Sequence, residues 1–69
     1  MEIGHRIREA RTLAGMTQAA LARRIETSER NVQRWEGGLN EPRIAQIARI
    51  SDATRQPIEF FIYPTRVTA

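Results

Sequence analysis

Residues 16–38 decide the fold of this chain and read "MTQAALARRIETSERNVQRWEGG". Thr17 is a favourable N-cap for a helix, because its hydroxyl oxygen can accept a hydrogen bond from a backbone N–H of the first turn. The apolar residues that follow recur at three- and four-residue steps and therefore share one face of that helix. This face consists of Leu21, Ala22 and Ile25. The pattern predicts a short amphipathic helix that leaves Arg23 and Arg24 in solvent.

A second helix follows after a break of about three residues, a spacing typical of two helices that cross closely. Either Thr27 or Ser28 can cap it, and the glycines at 37–38 end it. Val32 and Trp35 share its inward face, so Trp35 is expected in the core rather than as a stacking platform. The outward side alternates acids and arginines. That exterior suits an ordinary solvated helix, a salt-bridged protein surface or a helix that contacts the base edges of DNA.

Three further helices are predicted around this pair. Gly15 ends the first as a left-handed cap, and Pro42 and Pro57 suit the first turns of the fourth and fifth. The residues predicted to face inward are Ile3, Ile7, Ala10, Leu13 and Ala14 in the first helix, Ile44, Ile47, Ile50 and Thr54 in the fourth, and Ile58, Phe61 and Ile62 in the fifth. The sequence therefore predicts an all-α, compact five-helix domain over residues 1–63, followed by a tail or linker at 64–69.

Composition excludes several classes of protein. The chain has 69 residues, no cysteine and one histidine, so a disulfide framework, a thiolate metal cage and the usual histidine clusters are all excluded. No paired acid, nucleophile-base set or phosphate loop indicates an enzyme, and no cofactor or metal is expected. The beginning of the chain is charged and mixed, unlike a signal peptide, and no apolar run is long enough to span a bilayer. We expect a cytoplasmic protein.

The basic residues are all arginine, eleven in total, although the formal net charge is only +3. Arginine prefers bidentate contacts to phosphate and guanine, which suits a nucleic-acid partner. A GC-rich genome that favours arginine codons would produce the same composition in any protein. The arginine content therefore leaves both explanations open.

The order and spacing of these features resemble a known family. Residues 16–38 look like the helix-turn-helix of the Cro and phage-repressor (XRE-like) family, and "EPRIAQIARISDATRQPIEFFI", residues 41–62, resembles the closing pair of helices of that lambda-repressor-like fold. Two residues depart from the family pattern, since Glu26 and Arg55 stand where glycine is usual. A left-handed conformation at either would cost of order 1 kcal/mol. Ser51 and Thr54 also replace the usual Ala and Leu, which predicts a less apolar core near the fourth helix.

The resemblance implies that the helix at about 28–36 enters the major groove of DNA, where residues near its N-terminus contact base edges. The base contacts implied are Ser28, Glu29, Arg30 and Arg34. Arg30 or Arg34 can donate to guanine, and Glu29 can accept from a cytosine amino group. Other interpretations are a capping acid for Glu29 and a solvated face, or a pair with a nearby acid such as Glu26, for the arginines. Arg34 can also bind phosphate.

Contacts to the DNA backbone are implied for a second set of residues. Thr17 and Gln18 begin a helix whose N-terminus can bind phosphate, although simple capping also explains them. The complete set of predicted backbone contacts is Thr17, Gln18, Asn31, Gln33, Asn40 and Arg43. For the last two, a solvated loop is the alternative. The resemblance also implies a structural ion pair between Arg11 and Glu36.

Two functions are considered. The first is a sequence-specific double-stranded DNA-binding transcriptional regulator, expected to be a repressor of the phage immunity type, acting as a homodimer on its operator or as part of a larger chain. The second is a protein-binding module of the same fold, such as an antitoxin or a coactivator-bridging domain. Exposed apolar surface would favour the second function. The candidates for such a surface are Phe60, Ile62 and Tyr63.

Overall fold

The computed structural model describes the backbone of residues 2–62 and the side chains of residues 3–62. Within these residues the chain forms five helices and no strand, which confirms the predicted all-α architecture. The helices are α1 (Glu2–Leu13), α2 (Gln18–Arg24), α3 (Glu29–Glu36), α4 (Ile44–Thr54) and α5 (Glu59–Ile62). The predicted boundary at residue 63 and the tail at 64–69 lie outside the described residues.

A single apolar cluster fills the centre of the domain, and every helix contributes to it. Its members are Ile7, Ala10, Leu21, Ala22, Ile25, Val32, Trp35, Ile47, Ile50 and Phe61. The predicted inward pair of α3 is confirmed, because Val32 is 0% and Trp35 only 4% exposed. These two residues therefore fix which side of α3 faces away from the core.

Hydroxyl caps begin the two central helices. Thr17 Oγ1 accepts a hydrogen bond from Ala20 N at 3.0 Å, and Ser28 Oγ accepts one from Asn31 N at 3.1 Å. Of the two residues predicted as possible caps for α3, Ser28 is therefore the N-cap. Thr27 instead accepts a hydrogen bond through Oγ1 from Asn31 Nδ2 at 2.9 Å. These bonds set the starting points of α2 and α3 and so the length of the turn between them.

Glycine permits the close packing of α1 against α3. A β carbon at Gly4 would lie 2.2 Å from the carbonyl oxygen of Trp35 and 3.1 Å from that of Glu36. Side-chain atoms do not fit at the first of these distances, so the two helices cross in contact at this glycine. The left-handed conformation predicted for Gly15 is confirmed, since this residue follows α1 with φ 74°.

Three predicted helix faces extend too far. Leu13 is 68% exposed at the end of α1, Ile44 is 69% exposed at the start of α4, and Ile62 is 46% exposed at the end of α5. Ala14 is also exposed. Periodicity gives the direction in which a side chain points, but these residues lie at helix ends, beyond the neighbouring helices that would cover them.

Both proline predictions were wrong by two residues. Pro42 is buried and precedes the N-cap of α4, Arg43, whose backbone is extended and whose N–H donates to Gln46 Oε1 at 2.9 Å. Pro57 likewise precedes α5, and its carbonyl oxygen accepts a hydrogen bond from Phe60 N at 2.9 Å. Each proline therefore fixes the chain in the approach to a helix rather than in its first turn.

The two departures from the family pattern do adopt left-handed backbone. Glu26 has φ 62° in the turn between α2 and α3, and Arg55 has φ 60° at the end of α4. The less apolar core near α4 is also observed, since Thr54 is buried and donates its hydroxyl to the carbonyl oxygen of Ile50 at 2.7 Å. Ser51 is half-buried and donates to the carbonyl oxygen of Gln56.

Candidate nucleic-acid interface

The outward side of α3 is a polar face directed away from the core. Val32 and Trp35 anchor the helix from the opposite side, so the direction of this face is fixed by packing. We call it the recognition face. Its exposed residues are Ser28, Glu29, Arg30, Gln33 and Arg34.

The two arginines of the recognition face are not used by the fold. Among residues 3–62, neither Arg30 nor Arg34 forms an ion pair or a side-chain hydrogen bond. The acid considered as a partner for them, Glu26, lies instead 3.9 Å from Arg49, measured from Oε1 to Nη1. Both guanidinium groups therefore keep all their donors for an external ligand.

Residues near the start of α3 differ in how much hydrogen-bonding capacity remains. Ser28 Oγ accepts the capping bond from Asn31 N, which leaves its hydroxyl proton as a donor. Asn31 is half-buried, and its amide is held by Thr27. Glu29 is exposed in the first turn, where the helix dipole favours an acid. Ser28 supplies the capping bond, and the Glu29 carboxylate forms no hydrogen bond with another side chain between residues 3 and 62, which fits both a role at the helix dipole and a contact to a DNA base.

A buried ion pair joins α1 to the end of α3, at the two positions where the resemblance placed one. Arg11 Nε lies 2.7 Å from Glu36 Oε2, and Arg11 Nη2 lies 3.1 Å from Glu36 Oε1. The Glu36 side chain is only 1% exposed. Arg11 also donates through Nη1 to the carbonyl oxygen of Met16 at 2.9 Å, so its fork is held by two elements.

Two further residues complete this buried network, and sequence reasoning missed both contacts. Gln18 Nε2 donates to Glu36 Oε1 at 3.0 Å, and Arg8 Nε lies 3.5 Å from the same oxygen. Gln18 is the first residue of α2, so the network holds α1, α2 and α3 in one arrangement. One N–H of the Gln18 amide is used in this way, and its role at a phosphate stays a prediction.

Opposing effects act on the ionisation of Glu36. Burial, the largest of them, raises the pKa of this carboxyl group. Hydrogen bonds from Arg11, Gln18 and Arg8, together with the charge of Arg11, outweigh burial, and the pKa of Glu36 lies below its ordinary value. The bonds to Glu36 raise the pKa of Arg11 in turn, against the smaller opposing effect of its own burial. The pair is therefore fully charged near neutral pH.

The loop between α3 and α4 contains two further residues predicted to contact the DNA backbone. Asn40 and Arg43 are both exposed there, and neither side chain bonds to another residue between 3 and 62. Their availability fits a phosphate contact and a solvated loop equally well. The role of these two residues stays a prediction.

The structure describes two of the three residues considered for an apolar surface that would bind a protein partner. Phe60 is half-buried, packs against the core and has the Arg6 guanidinium 4.4 Å from its ring centroid. Ile62 is exposed, and Tyr63 lies outside the described residues. Within residues 2–62, no cluster of three or more potential metal ligands is found, and no helix is both long and apolar enough to cross a membrane.

Comparison with known proteins agrees with this architecture. A family model described as a helix-turn-helix domain matches residues 2–59. An uncharacterized transcriptional regulator in the ATPase CF(0) region of Rhodospirillum rubrum is 36% identical over 59 residues, which cover 86% of this chain and 55% of that protein. An uncharacterized HTH-type transcriptional regulator of Sinorhizobium medicae is 31% identical over 61 residues, covering 88% of this chain and 44% of that protein.

This chain thus spans about half the length of the curated relatives that it matches. No solved structure shows a significant match. The family match extends from α1 to the first residue of α5, and it includes α2 and also α3, which carries the recognition face. As the resemblance in its sequence predicted, the chain belongs to the helix-turn-helix domain family.

Proposed function

We propose that this chain is the DNA-binding domain of a sequence-specific transcriptional regulator and that α3 enters the major groove of double-stranded DNA. The observation that carries the proposal is the recognition face, in which two guanidinium groups without internal partners project from a helix anchored by Val32 and Trp35. An α-helix fits the major groove, where arginine donates bidentately to guanine. The names of the relatives, which are transcriptional regulators, support the same function.

Sequence discrimination would come mainly from four side chains. Arg30 and Arg34 lie one turn apart and can each donate to N7 and O6 of a guanine. Phosphates repel Glu29, so this residue adds to binding affinity only where a cytosine amino group can donate to it. It therefore weakens unspecific binding. Ser28 retains a hydroxyl donor for a base or a phosphate. Arg34 lies furthest from the helix start and is the one of the two arginines better placed for phosphate.

Positioning on the DNA backbone would come from the ends of neighbouring helices. The N-terminus of α2, at Thr17 and Gln18, offers backbone N–H groups and the positive end of the helix dipole to a phosphate. Asn40 and Arg43 offer a second contact from the loop before α4. Gln33, which is exposed on the recognition face, is expected to contact the DNA backbone as well. Asn31 is the weakest member of the predicted set, because its amide is held by Thr27.

Repression is the regulatory outcome that we infer, because a protein bound at an operator blocks the access of other proteins to it. Two copies on two half-sites are expected, since one recognition helix reads too few base pairs to select a site in a genome. Cytoplasmic action follows from the DNA partner. An origin in a phage immunity system stays a prediction from resemblance, and the named relatives do not bear on it.

The test is selection of bound sequences from a random duplex pool, followed by titration of the selected duplex and a scrambled one at two salt concentrations. Wild type should select one motif and bind it with a clear salt dependence. Arg30→Ala should lose about 1–3 kcal/mol of discrimination at one guanine position. Arg23→Ala removes the same charge from an exposed site on α2 outside the recognition face, and it should keep the discrimination.

Absence of any selected motif, with equal weak binding of both duplexes, would refute sequence-specific recognition by this domain. Such a result would favour the alternative function, a protein-binding module. Equal losses in Arg30→Ala and Arg23→Ala would show instead that the recognition face contributes only charge.

A further inference from the structure

A polar cleft lies on the surface between the α2–α3 turn and the last turns of α4. It has a volume of about 450 Å³ and is open to solvent. Five charged side chains line it: Arg24, Glu26, Arg49, Asp52 and Arg55. None of them belongs to the recognition face or to the residues predicted to contact DNA, so the function proposed above leaves this cleft unexplained.

The positive charges of the cleft are largely free. The contact between Arg49 and Glu26 is 3.9 Å long, and the two side chains are 58% and 81% exposed. An exposed pair of this kind contributes little and breaks easily. Arg24 and Arg55 form no ion pair with any residue between 3 and 62. Arg49 Nη1 also donates to the carbonyl oxygen of Ile25 at 3.3 Å. Three guanidinium groups therefore line one cleft, and their internal contacts are one weak ion pair and one backbone hydrogen bond, both at Nη1 of Arg49.

Two of the lining residues have backbone conformations that disfavour their own side chains. Glu26 and Arg55 are the only non-glycine residues with positive φ in the described part of the chain. Each costs of order 1 kcal/mol relative to glycine in that conformation. The fold requires the left-handed backbone at both turns, but it does not require a charged side chain there. Both charged side chains line the same cleft.

We propose that this cleft binds a small polyanion, a ligand with two or more phosphate or carboxylate groups. Guanidinium groups bind such anions bidentately, and the cleft offers three of them: Arg24 at the end of α2, Arg49 within α4 and Arg55 at the end of α4. Glu26 acts as an internal competitor, because it occupies the vicinity of Arg49 until an anion replaces it. The two acids of the cleft lower its net charge, so selectivity comes from convergent donors rather than from a general positive field.

The proposal is independent of DNA binding and is tested on the free protein. Citrate and inorganic pyrophosphate are titrated separately at constant ionic strength while backbone amide shifts are followed by NMR. We expect saturating shifts confined to residues near 24–26 and 49–55. Tighter binding of one probe assigns the ligand class as carboxylate or phosphate.

Four proteins are compared: wild type, Arg55→Gly, Glu26→Gly and Arg23→Ala. Arg55→Gly should bind about tenfold more weakly, since it loses a charge-assisted contact. Glu26→Gly should bind about threefold more tightly, since the competitor is gone. Glycine suits the positive φ at both positions, so neither substitution is expected to unfold the protein. Arg23→Ala removes an exposed charge that is adjacent to Arg24 in the sequence but does not line the cleft, and it should bind as wild type does.

Three results would overturn the proposal. Shifts that rise without saturation and are equal in Arg55→Gly and Arg23→Ala would indicate an adventitious ion only. Unchanged or weaker binding in Glu26→Gly would remove the competitor role on which the argument depends. Loss of duplex affinity in Arg55→Gly without saturable shifts from either probe would assign these arginines to the DNA backbone instead.

Discussion

Glu36→Gln should destabilise the domain strongly, because it removes the charge at the centre of the buried network. Loss of one partner from a buried ion pair costs about 3–5 kcal/mol, since the other charge is left uncompensated. The lower end applies here. Glutamine keeps an acceptor for one donor, and Arg11 retains its bond to the Met16 carbonyl and 15% side-chain exposure. We expect a loss of about 3 kcal/mol, which lowers the Tm of so small a domain by at least about 12 °C.

The same variant should change the response to acid. The pKa of Glu36 is lowered by folding, so its contribution to stability is complete above the ordinary glutamate pKa of about 4.3 and is lost as the pH falls through the lower folded value. Wild type should therefore lose stability in that acid range, whereas Glu36→Gln should lose less. Urea denaturation followed by circular dichroism at neutral and acid pH measures both effects. A loss under about 1 kcal/mol at neutral pH, or equal acid slopes, would refute the reasoning.

Three smaller predictions concern the fold. Gly4→Ala should lower the free energy of unfolding by more than about 2 kcal/mol, because its β carbon would lie 2.2 Å from the Trp35 carbonyl oxygen and would force α1 away from α3. Urea denaturation measures this loss, and a value under about 1 kcal/mol would show that α1 can move away from α3 at little cost. Arg55→Gly should raise the free energy of unfolding by about 1 kcal/mol in thermal denaturation, and a decrease would contradict the assigned strain. Thr54→Val should change the free energy of unfolding by less than about 1 kcal/mol, because it removes only the hydroxyl donor to the Ile50 carbonyl oxygen. A larger loss would show that this hydrogen bond stabilises α4.

Local chemistry explains which features the sequence could predict. The cap at Thr17 and the inward pair Val32 and Trp35 depend on residues within one helix turn of each other, so spacing identifies them. For α3 the sequence left Thr27 and Ser28 as alternative caps, and the structure shows Ser28. The exposure of Leu13 depends instead on how far neighbouring helices extend beside it. Periodicity contains no information about that length.

The site shows the same division. The exposed positions of the recognition face follow from the inward pair of α3, and the sequence predicts them. The contact between Gln18 and Glu36 depends on the crossing of α2 over the end of α3, and no local signal indicates it. The sequence predicted Gln18 only as a DNA contact and did not predict its hydrogen bond to Glu36 within the fold. The pairing of Arg11 with Glu36 was predictable only through resemblance to a family, and the bond from Arg11 to the Met16 carbonyl was not predicted.

In the proposed function, base readout and support of the fold are assigned to different residues, so substitutions can test the two separately. Arg30 and Arg34 are exposed and without internal partners, so their substitution should change stability by no more than about 0.5 kcal/mol. The Glu36 side chain is 1% exposed, so its carboxylate is not available to DNA, yet it holds the end of α3 against α1. Arg30→Ala should therefore lose base discrimination while remaining stable. Glu36→Gln should lose stability first, and at temperatures where it remains folded it should prefer the same bases as wild type. A changed base preference in Glu36→Gln would mean that the network sets the direction of α3 more finely than packing of Val32 and Trp35 does.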